Sequence, residues 1–193
     1  MKRCGAVVLA AGGSSRLGRP KQLLTLEGES LLHRVARMAV DAGFSPVVVV
    51  LGAVDEPCRR ALEGLPVDVV KNARWVEGLG SSVAAGIGAV TQCDGALLLP
   101  CDQPGLTVAA LRRLADAFTG SGIVASRYAG TTGTPVLFSS AHFTRLRALT
   151  GDIGAKSLLR QFAREVTEID MPEAQLDIDS EVDWQRVSQA IGD

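Results

Sequence analysis

The stretches that most constrain the fold are Ala6-Val-Val-Leu-Ala10, Pro46-Val-Val-Val-Val-Leu51 and Ala96-Leu-Leu-Leu-Pro100, each apolar almost without interruption. None alternates in a way that would leave one face wet, so each reads as a strand inside a mostly parallel sheet covered by helices on both sides. The segments between them supply those helices. Ser30 is placed to cap a helix whose Leu31, Leu32, Val35, Met38 and Ala39 share a face, with Gly43 to end it. Asp55 to Leu62 predicts a second helix, Val67 to Val70 a strand, Gly78-Leu-Gly-Ser-Ser82 the opening of a helix of small residues to about Gln92, and Thr107 a cap for a helix through Phe118. Further on, Ile123 to Ala125 reads as a strand, Gly130 to Phe138 as a loop and strand, and Phe143 to Leu149 as a short helix. Gly151-Asp152 reads as a helix stop followed by a cap for Ala155 to Phe162, Val166 to Ile169 as a strand, and Val182 to Ile191 as the closing helix. The order is that of an α/β fold. The 193 residues suffice for one such domain over 1–193, with no repeat, linker or low-complexity tract.

The first strand runs into Leu9-Ala-Ala-Gly-Gly-Ser-Ser-Arg-Leu-Gly-Arg-Pro-Lys21. Small residues let backbone approach a ligand closely, N–H groups from Ala11 to Ser15 can converge on an anion, Ser14 and Ser15 add hydroxyls, and Arg16 and Lys21 add charge. This is a phosphate cradle, read against the plainer alternative of a glycine-rich strand-to-helix turn. It is not a Walker A loop, because Arg19-Pro20 stands where Lys-Ser/Thr is required, and no G-x-G-x-x-G is completed here or at Gly78 or Gly86.

The formal net charge of −1, without a basic run, argues against a nucleic-acid or membrane surface. Met1-Lys-Arg3 ahead of an apolar stretch has the look of a signal peptide, but glycines and Arg16 interrupt that stretch, no span is long enough to cross a membrane, and a cytoplasmic protein is expected. Cys4, Cys58, Cys93 and Cys101 form no C-x-x-C pair, and His33 and His142 are far apart, so a zinc site is not expected. Cys101 reads as a small packed residue rather than a reactive thiol.

A triphosphate held by cations still needs carboxylates to seat a magnesium ion. Asp102 follows a buried strand at the edge where open α/β sheets bind ligands, and Asp179 is the second candidate, the alternative for Asp177 and Asp179 being a cap on the last helix. Ser81 and Ser82 read either as a helix cap or as donors to a ribose or base edge. Asp102 and Asp179 sharing Mg²⁺ with a bound nucleotide would make a nucleotidyl-transfer site.

These motifs resemble the nucleotidyltransferases that act on the molybdenum cofactor, almost end to end. The resemblance is most specific over Leu9 to Leu24. It implies a single-domain, three-layer α/β/α, Rossmann-like, mostly parallel sheet of the nucleotide-diphospho-sugar transferase type. It further implies catalytic roles for Arg16, Lys21 and Asp102, nucleotide contacts from Leu9, Ala10, Ala11, Gly12, Gly13, Ser14, Ser15, Arg16, Lys21, Gly80, Ser81 and Ser82, and metal ligation by Asp102 and Asp179. Gly151-Asp-Ile-Gly-Ala155 and Asp177-Ile-Asp179 are similar to two later motifs of the same family, the second of which supplies a further acidic residue near the metal. Leu-Ala-Ala-Gly, where guanylyltransferases read Leu-Ala-Gly-Gly, points to the cytidylyltransferase branch, Ala11 bringing a methyl group near the base. The implied reaction joins CMP from CTP to molybdopterin or molybdenum cofactor and releases pyrophosphate, with a molybdenum hydroxylase to receive the product. Thr134 departs from the family, whose members commonly carry His or Asn there, and bears on the pterin side. The competing readings are a guanylyl- or sugar-phosphate nucleotidyltransferase, a cofactor-binding protein without catalysis, and an NAD(P)H-dependent oxidoreductase, since sequences of this branch have been assigned to reduction of a pigment from nicotine.

Overall fold

The structure, a computed structural model, describes residues 2–191. In chain order the strands are β1 (Cys4–Ala10), β2 (Thr25–Leu26), β3 (Glu29–Ser30), β4 (Val47–Leu51), β5 (Asp68–Lys71), β6 (Gly95–Pro100), β7 (Ile123–Tyr128), β8 (Thr131–Ser139) and β9 (Val166–Asp170). The α-helices are α1 (Leu31–Asp41), α2 (Asp55–Ala61), α3 (Leu79–Ala89), α4 (Val108–Ala117), α5 (Phe143–Arg147), α6 (Ala155–Gln161) and α7 (Glu181–Ile191). The main sheet runs β5-β4-β1-β6-β8-β7-β9, and β8 is antiparallel to both of its neighbours. The remaining pairings are parallel.

The apolar runs are buried because helices cover both faces. Ala6, Val8 and Ala10 pack with Leu32 and Val35 of α1, Cys58 of α2 and Leu111 and Leu114 of α4. Val7, between them, faces the opposite layer, with Val83 and Ile87 of α3, Leu146 of α5 and Leu158 of α6. Gly86 lets α3 lie flat on β1, since a Cβ there would collide with the Val7 side chain. Ser30 caps α1 by accepting from the His33 N–H, and Thr107 caps α4 through Ala110.

Topology places the site. β1 and β6 are parallel neighbours, so the loops leaving their carboxyl ends lie side by side at the edge where open α/β sheets bind ligands. Leu9 of β1 is level with Pro100 of β6, which puts Asp102 beside the loop after Ala10. A separate apolar cluster of Leu17, Leu24, Leu26, Leu31, Ile178 and Val187 clamps that loop to the segment preceding α7.

Some local expectations are corrected. Asp152 does not cap α6, whose N-cap is Gly154, and α5 already ends at Arg147, so Gly151 is not its stop. Asp177 and Asp179 do not cap α7 either: Ser180 Oγ accepts from the Asp183 N–H at 3.3 Å, while the Asp183 carboxylate accepts from the Ser180 N–H at 2.9 Å, a reciprocal box. The β2–β3 hairpin was not expected, and its turn residues Glu27 (φ 51°) and Gly28 (φ 81°) have the positive φ that a two-residue hairpin demands.

Candidate active site

The loop after β1 is shaped by side chains within it. Gln22, 1 % exposed, donates from Nε2 to the carbonyls of Ala10 (2.9 Å) and Gly12 (2.7 Å). Ser14 sits at φ 53°; its Oγ accepts from the Lys21 N–H at 3.0 Å, and its carbonyl takes the N–H groups of Leu17 and Gly18. Among the described residues no backbone acceptor takes the N–H groups of Gly12, Gly13, Ser15 or Arg16. That curl of free donors suits phosphate oxygens. Ser14 therefore holds the loop together, Ser15 is exposed, and Ala10 faces the core and offers the ligand only backbone.

Across the crevice lie three carboxylates. Asp102, Asp177 and Asp179 each place an oxygen within 4.8 Å of the others. Buried Ile178 explains the spacing: its N–H donates to the Asp102 carbonyl at 3.0 Å, and the alternation of an extended chain turns its two neighbours the other way, towards Asp102. Lys21 reaches into the group, with Nζ 2.6 Å from Asp102 Oδ2, 3.3 Å from Asp179 Oδ1 and 3.1 Å from the Ile178 carbonyl. Arg16 lies 2.9 Å from Asp179 Oδ2.

The charges respond to one another. Burial works against the Lys21 ammonium, but the charge and hydrogen bond of Asp102, with Asp179 behind, hold its pKa above the ordinary lysine value. Asp177 is exposed as a residue, yet its carboxyl has lost water to the groups around it and faces Asp102 and Asp179, which together push its pKa up to about 6. Three hard oxygen donors with one reluctant to ionise alone fit a divalent cation, which would relieve their repulsion.

Beside the loop, a cavity of about 300 Å³ is lined by Leu9, Ala11, Gly12, Trp75, Leu79 and Ser82, among others. The Trp75 ring is the wall nearest the loop, 3.4 Å from where a Gly13 side chain would begin. Ser82 reaches this cavity. Ser81 does not, its hydroxyl being committed to the carbonyls of Arg74 and Gly78, both at 2.9 Å. Asn72 holds both serines, its Nδ2 donating to Ser81 Oγ (2.9 Å) and Ser82 Oγ (3.0 Å). Neither serine caps α3, whose N-cap is Gly78, and Gly80 serves packing, since a side chain there would meet the Thr150 backbone at 2.7 Å.

Sequence reasoning did not single out Gln22, Asn72 or Trp75; it placed Asp177 in a family-like Asp-Ile-Asp motif but named only Asp179 beside Asp102 as a metal ligand. The signal for Asp177 was its place two residues before Asp179 around an apolar residue. Cys101 is buried against the core, and burial pushes its thiol pKa up, away from thiolate chemistry.

Comparison with known proteins is consistent along the chain. The family profile described as a MobA-like NTP transferase domain matches residues 6–167. A nicotine blue oxidoreductase of Paenarthrobacter nicotinovorans is 36 % identical over 166 residues, 80 % of each chain. The molybdenum cofactor cytidylyltransferase of Escherichia coli K12 is 26 % identical over 185 residues, 95 % of each chain. Among solved structures, Rv0371c of Mycobacterium tuberculosis H37Rv superposes with a TM-score of 0.87 at 32 % identity, over 97 % of this chain and 98 % of that one, and it has also been solved as a complex with manganese.

Proposed function

Since this chain belongs to the MobA-like NTP transferase family and is a nucleotidyltransferase, we propose that it joins CMP from CTP to the terminal phosphate of molybdopterin or molybdenum cofactor, releasing pyrophosphate, with Mg²⁺. The observation that carries this reading is the meeting of Lys21 and Arg16 with Asp102 and Asp179 at the mouth of the phosphate loop.

In this reading the N–H groups of Gly12 to Arg16 and the Arg16 guanidinium receive the β- and γ-phosphates, and the cavity beside Ala11 and Trp75 takes the base. The Ala11 methyl, which takes up room beside the base, favours a pyrimidine. Asp102, Asp177 and Asp179 hold Mg²⁺, which when bound polarises the α-phosphate and offsets its charge. An oxygen of the acceptor phosphate forms the new bond to the α-phosphorus as the α–β bridging bond breaks. Arg16, Lys21 and the loop amides stabilise the charge gathering on the departing pyrophosphate. A phosphate monoester is ionised at neutral pH, so no general base is required, and the protein contributes position and charge. A single domain over 1–193, a cytoplasmic setting and handover to a molybdenum hydroxylase complete the proposal. No helix among the described residues is long and apolar enough to cross a membrane.

The test is pyrophosphate release from each NTP in turn, with Mg²⁺ and molybdopterin. CTP is expected to be best. A preference for GTP would overturn the base assignment, and release with a sugar phosphate in place of molybdopterin would overturn the acceptor. The 36 % identity to a nicotine blue oxidoreductase motivates one second reading, reduction of a quinoid pigment. NADPH oxidation with a quinoid dye, in a preparation that releases no pyrophosphate from any NTP, would establish that reading instead.

A further inference from the structure

Beyond the base cavity the cleft continues. A second cavity of about 310 Å³ shares Leu79 and Asp152 with the first and adds Thr134 and Lys156. A third of about 600 Å³ shares Lys156 with the second and adds Arg160, Thr132 and Glu168. The series therefore leads from the nucleotide half, past Thr134 of β8, to a chamber between the β7–β8 hairpin and α6.

Lys156 and Arg160 lie one helical turn apart and line that chamber together. Neither makes an ion pair among the described residues, whereas Arg16 and Lys21 are both held by carboxylates. The chamber's own carboxylate, Glu168, accepts a hydrogen bond from Thr132 Oγ1 and lies 3.8 Å from Arg127. Its local balance is therefore cationic.

Buried Gly133 lets Lys156 and Tyr128 approach one another. A side chain on Gly133 would begin 2.9 Å from the Tyr128 hydroxyl and 3.4 Å from Lys156 Cε, so the missing methyl lets a phenol and an ammonium stem converge over the same backbone. Tyr128 is tied towards the catalytic strand end by Gln103, the residue after Asp102, whose Nε2 donates to Ala174 (2.8 Å) and Thr134 (3.2 Å) carbonyls and lies 3.5 Å from the Tyr128 oxygen. Burial, and the charges of Asp177 and Asp102, push the Tyr128 pKa up, so it is a neutral hydroxyl donor at physiological pH.

We propose that Lys156, with the Tyr128 hydroxyl, binds the phosphate monoester of the acceptor, and that the chamber ending at Arg160 receives the acceptor's ring. This rests on the nucleotidyl-transfer reading above and names its second substrate site. A dianion brought next to three aspartates needs a cation that the triphosphate has not already taken, and Lys156, which lines both further cavities, can supply it.

The experiment is equilibrium binding of molybdopterin to protein saturated with Mg²⁺ and α,β-methylene-CTP, for wild type, Lys156→Ala and Lys156→Arg. Alanine at an exposed helical position does not threaten folding. Expected is at least a tenfold weaker molybdopterin Kd in Lys156→Ala, an unchanged Kd for the CTP analogue, and recovery in Lys156→Arg. Equal molybdopterin binding by Lys156→Ala and wild type overturns the proposal, as does a parallel loss of analogue binding, which would assign Lys156 to the nucleotide half. If wild type binds the analogue and not molybdopterin, the acceptor proposed above is wrong, and the subsite is read with inorganic phosphate: binding lost in Lys156→Ala supports it, and equal binding overturns it.

Discussion

The two halves of the cleft carry similar numbers of cations and use them differently. In the nucleotide half, Lys21 and Arg16 are engaged by Asp102 and Asp179, so the site is close to self-neutralised before any ligand arrives. In the half proposed for the acceptor, Lys156 and Arg160 line the cavity, and among the described residues neither has a carboxylate partner. The first half must exchange partners to bind, trading ammonium-carboxylate contacts for phosphate and metal, whereas the second has only to attract. Convergence of charge marks function here better than volume does. A larger cavity, about 1030 Å³ at the amino ends of the strands beside Lys2, Asp94 and Asp116, gathers no comparable cluster among the described residues.

The largest effect expected from breaking this contrast is at Asp102. Asp102→Asn removes a charge from the metal-binding trio and from the strand end that fixes Lys21, and turnover should fall by about 10³-fold or more. Nucleotide binding, measured by titration with α,β-methylene-CTP, should survive because the loop amides and Arg16 remain. Turnover within a factor of two of wild type would remove Asp102 from the mechanism.

Lys21→Ala tests the exchange itself. Without its ammonium among Asp102, Asp177 and Asp179, the trio should take up Mn²⁺ more tightly in the absence of nucleotide, by about tenfold in an electron paramagnetic resonance titration. The same variant should lose about 10²-fold in kcat/KM for CTP, because a cation that stabilises pyrophosphate is gone. Opposite changes in metal and nucleotide affinity are the signature of a lysine that occupies the cation seat. A loss of both would mean that Lys21 only holds the loop in shape.

Much of the parallel half was legible from the chain alone. Strands buried on both faces must be apolar throughout, and β1, β4 and β6 announce themselves that way, with Asp102 placed by the end of β6. The acceptor half was less legible because its placement depends on long-range pairing. Nothing local in Gly130 to Phe138 says that β8 inserts between β6 and β7 and runs antiparallel to both. Asp152 was misread as a cap because Gly-Asp resembles a helix entry, while the chain continues two residues further to Gly154. The meeting of Asp177 with Asp102 was hidden for a related reason: it is made by the burial of Ile178 against Leu17 and Leu24, residues about 150 positions away. Trp75 lies in an irregular stretch, where periodicity carries no signal.

Asp177 gives a pH-dependent prediction of smaller size. With its pKa raised to about 6 in the folded chain, the native state keeps a proton that the unfolded chain has already lost above the ordinary carboxylate range. Ionised Asp177 therefore destabilises the metal-free protein, by the full amount above about pH 6, and that penalty fades as pH falls from about 6 to the ordinary carboxyl value of 3.8. Asp177→Asn should raise the Tm by about 2–4 °C at pH 7.5, after allowance for the solvent around this carboxyl, by about half as much at pH 5, and by little below about pH 4. A variant less stable than wild type at pH 7.5 would contradict the crowding of the three carboxylates.

The smallest effect is expected at the outer end of the same loop. Arg19 forms a two-pronged pair with Glu181, its Nη2 lying 2.8 and 2.9 Å from the two carboxylate oxygens, but both side chains are 48 % exposed. An exposed pair contributes about 0–1 kcal/mol, so Arg19→Ala should lower the Tm by less than about 2 °C. The loop is already clamped to the α7 segment by the buried cluster of Leu17, Leu24 and Ile178, and its shape is set by Gln22 and Ser14. KM for CTP should therefore stay within about twofold, in contrast to Lys21→Ala only two residues away. A tenfold rise in KM would show that the surface pair, and not the apolar clamp, holds the nucleotide half in position before the ligand arrives.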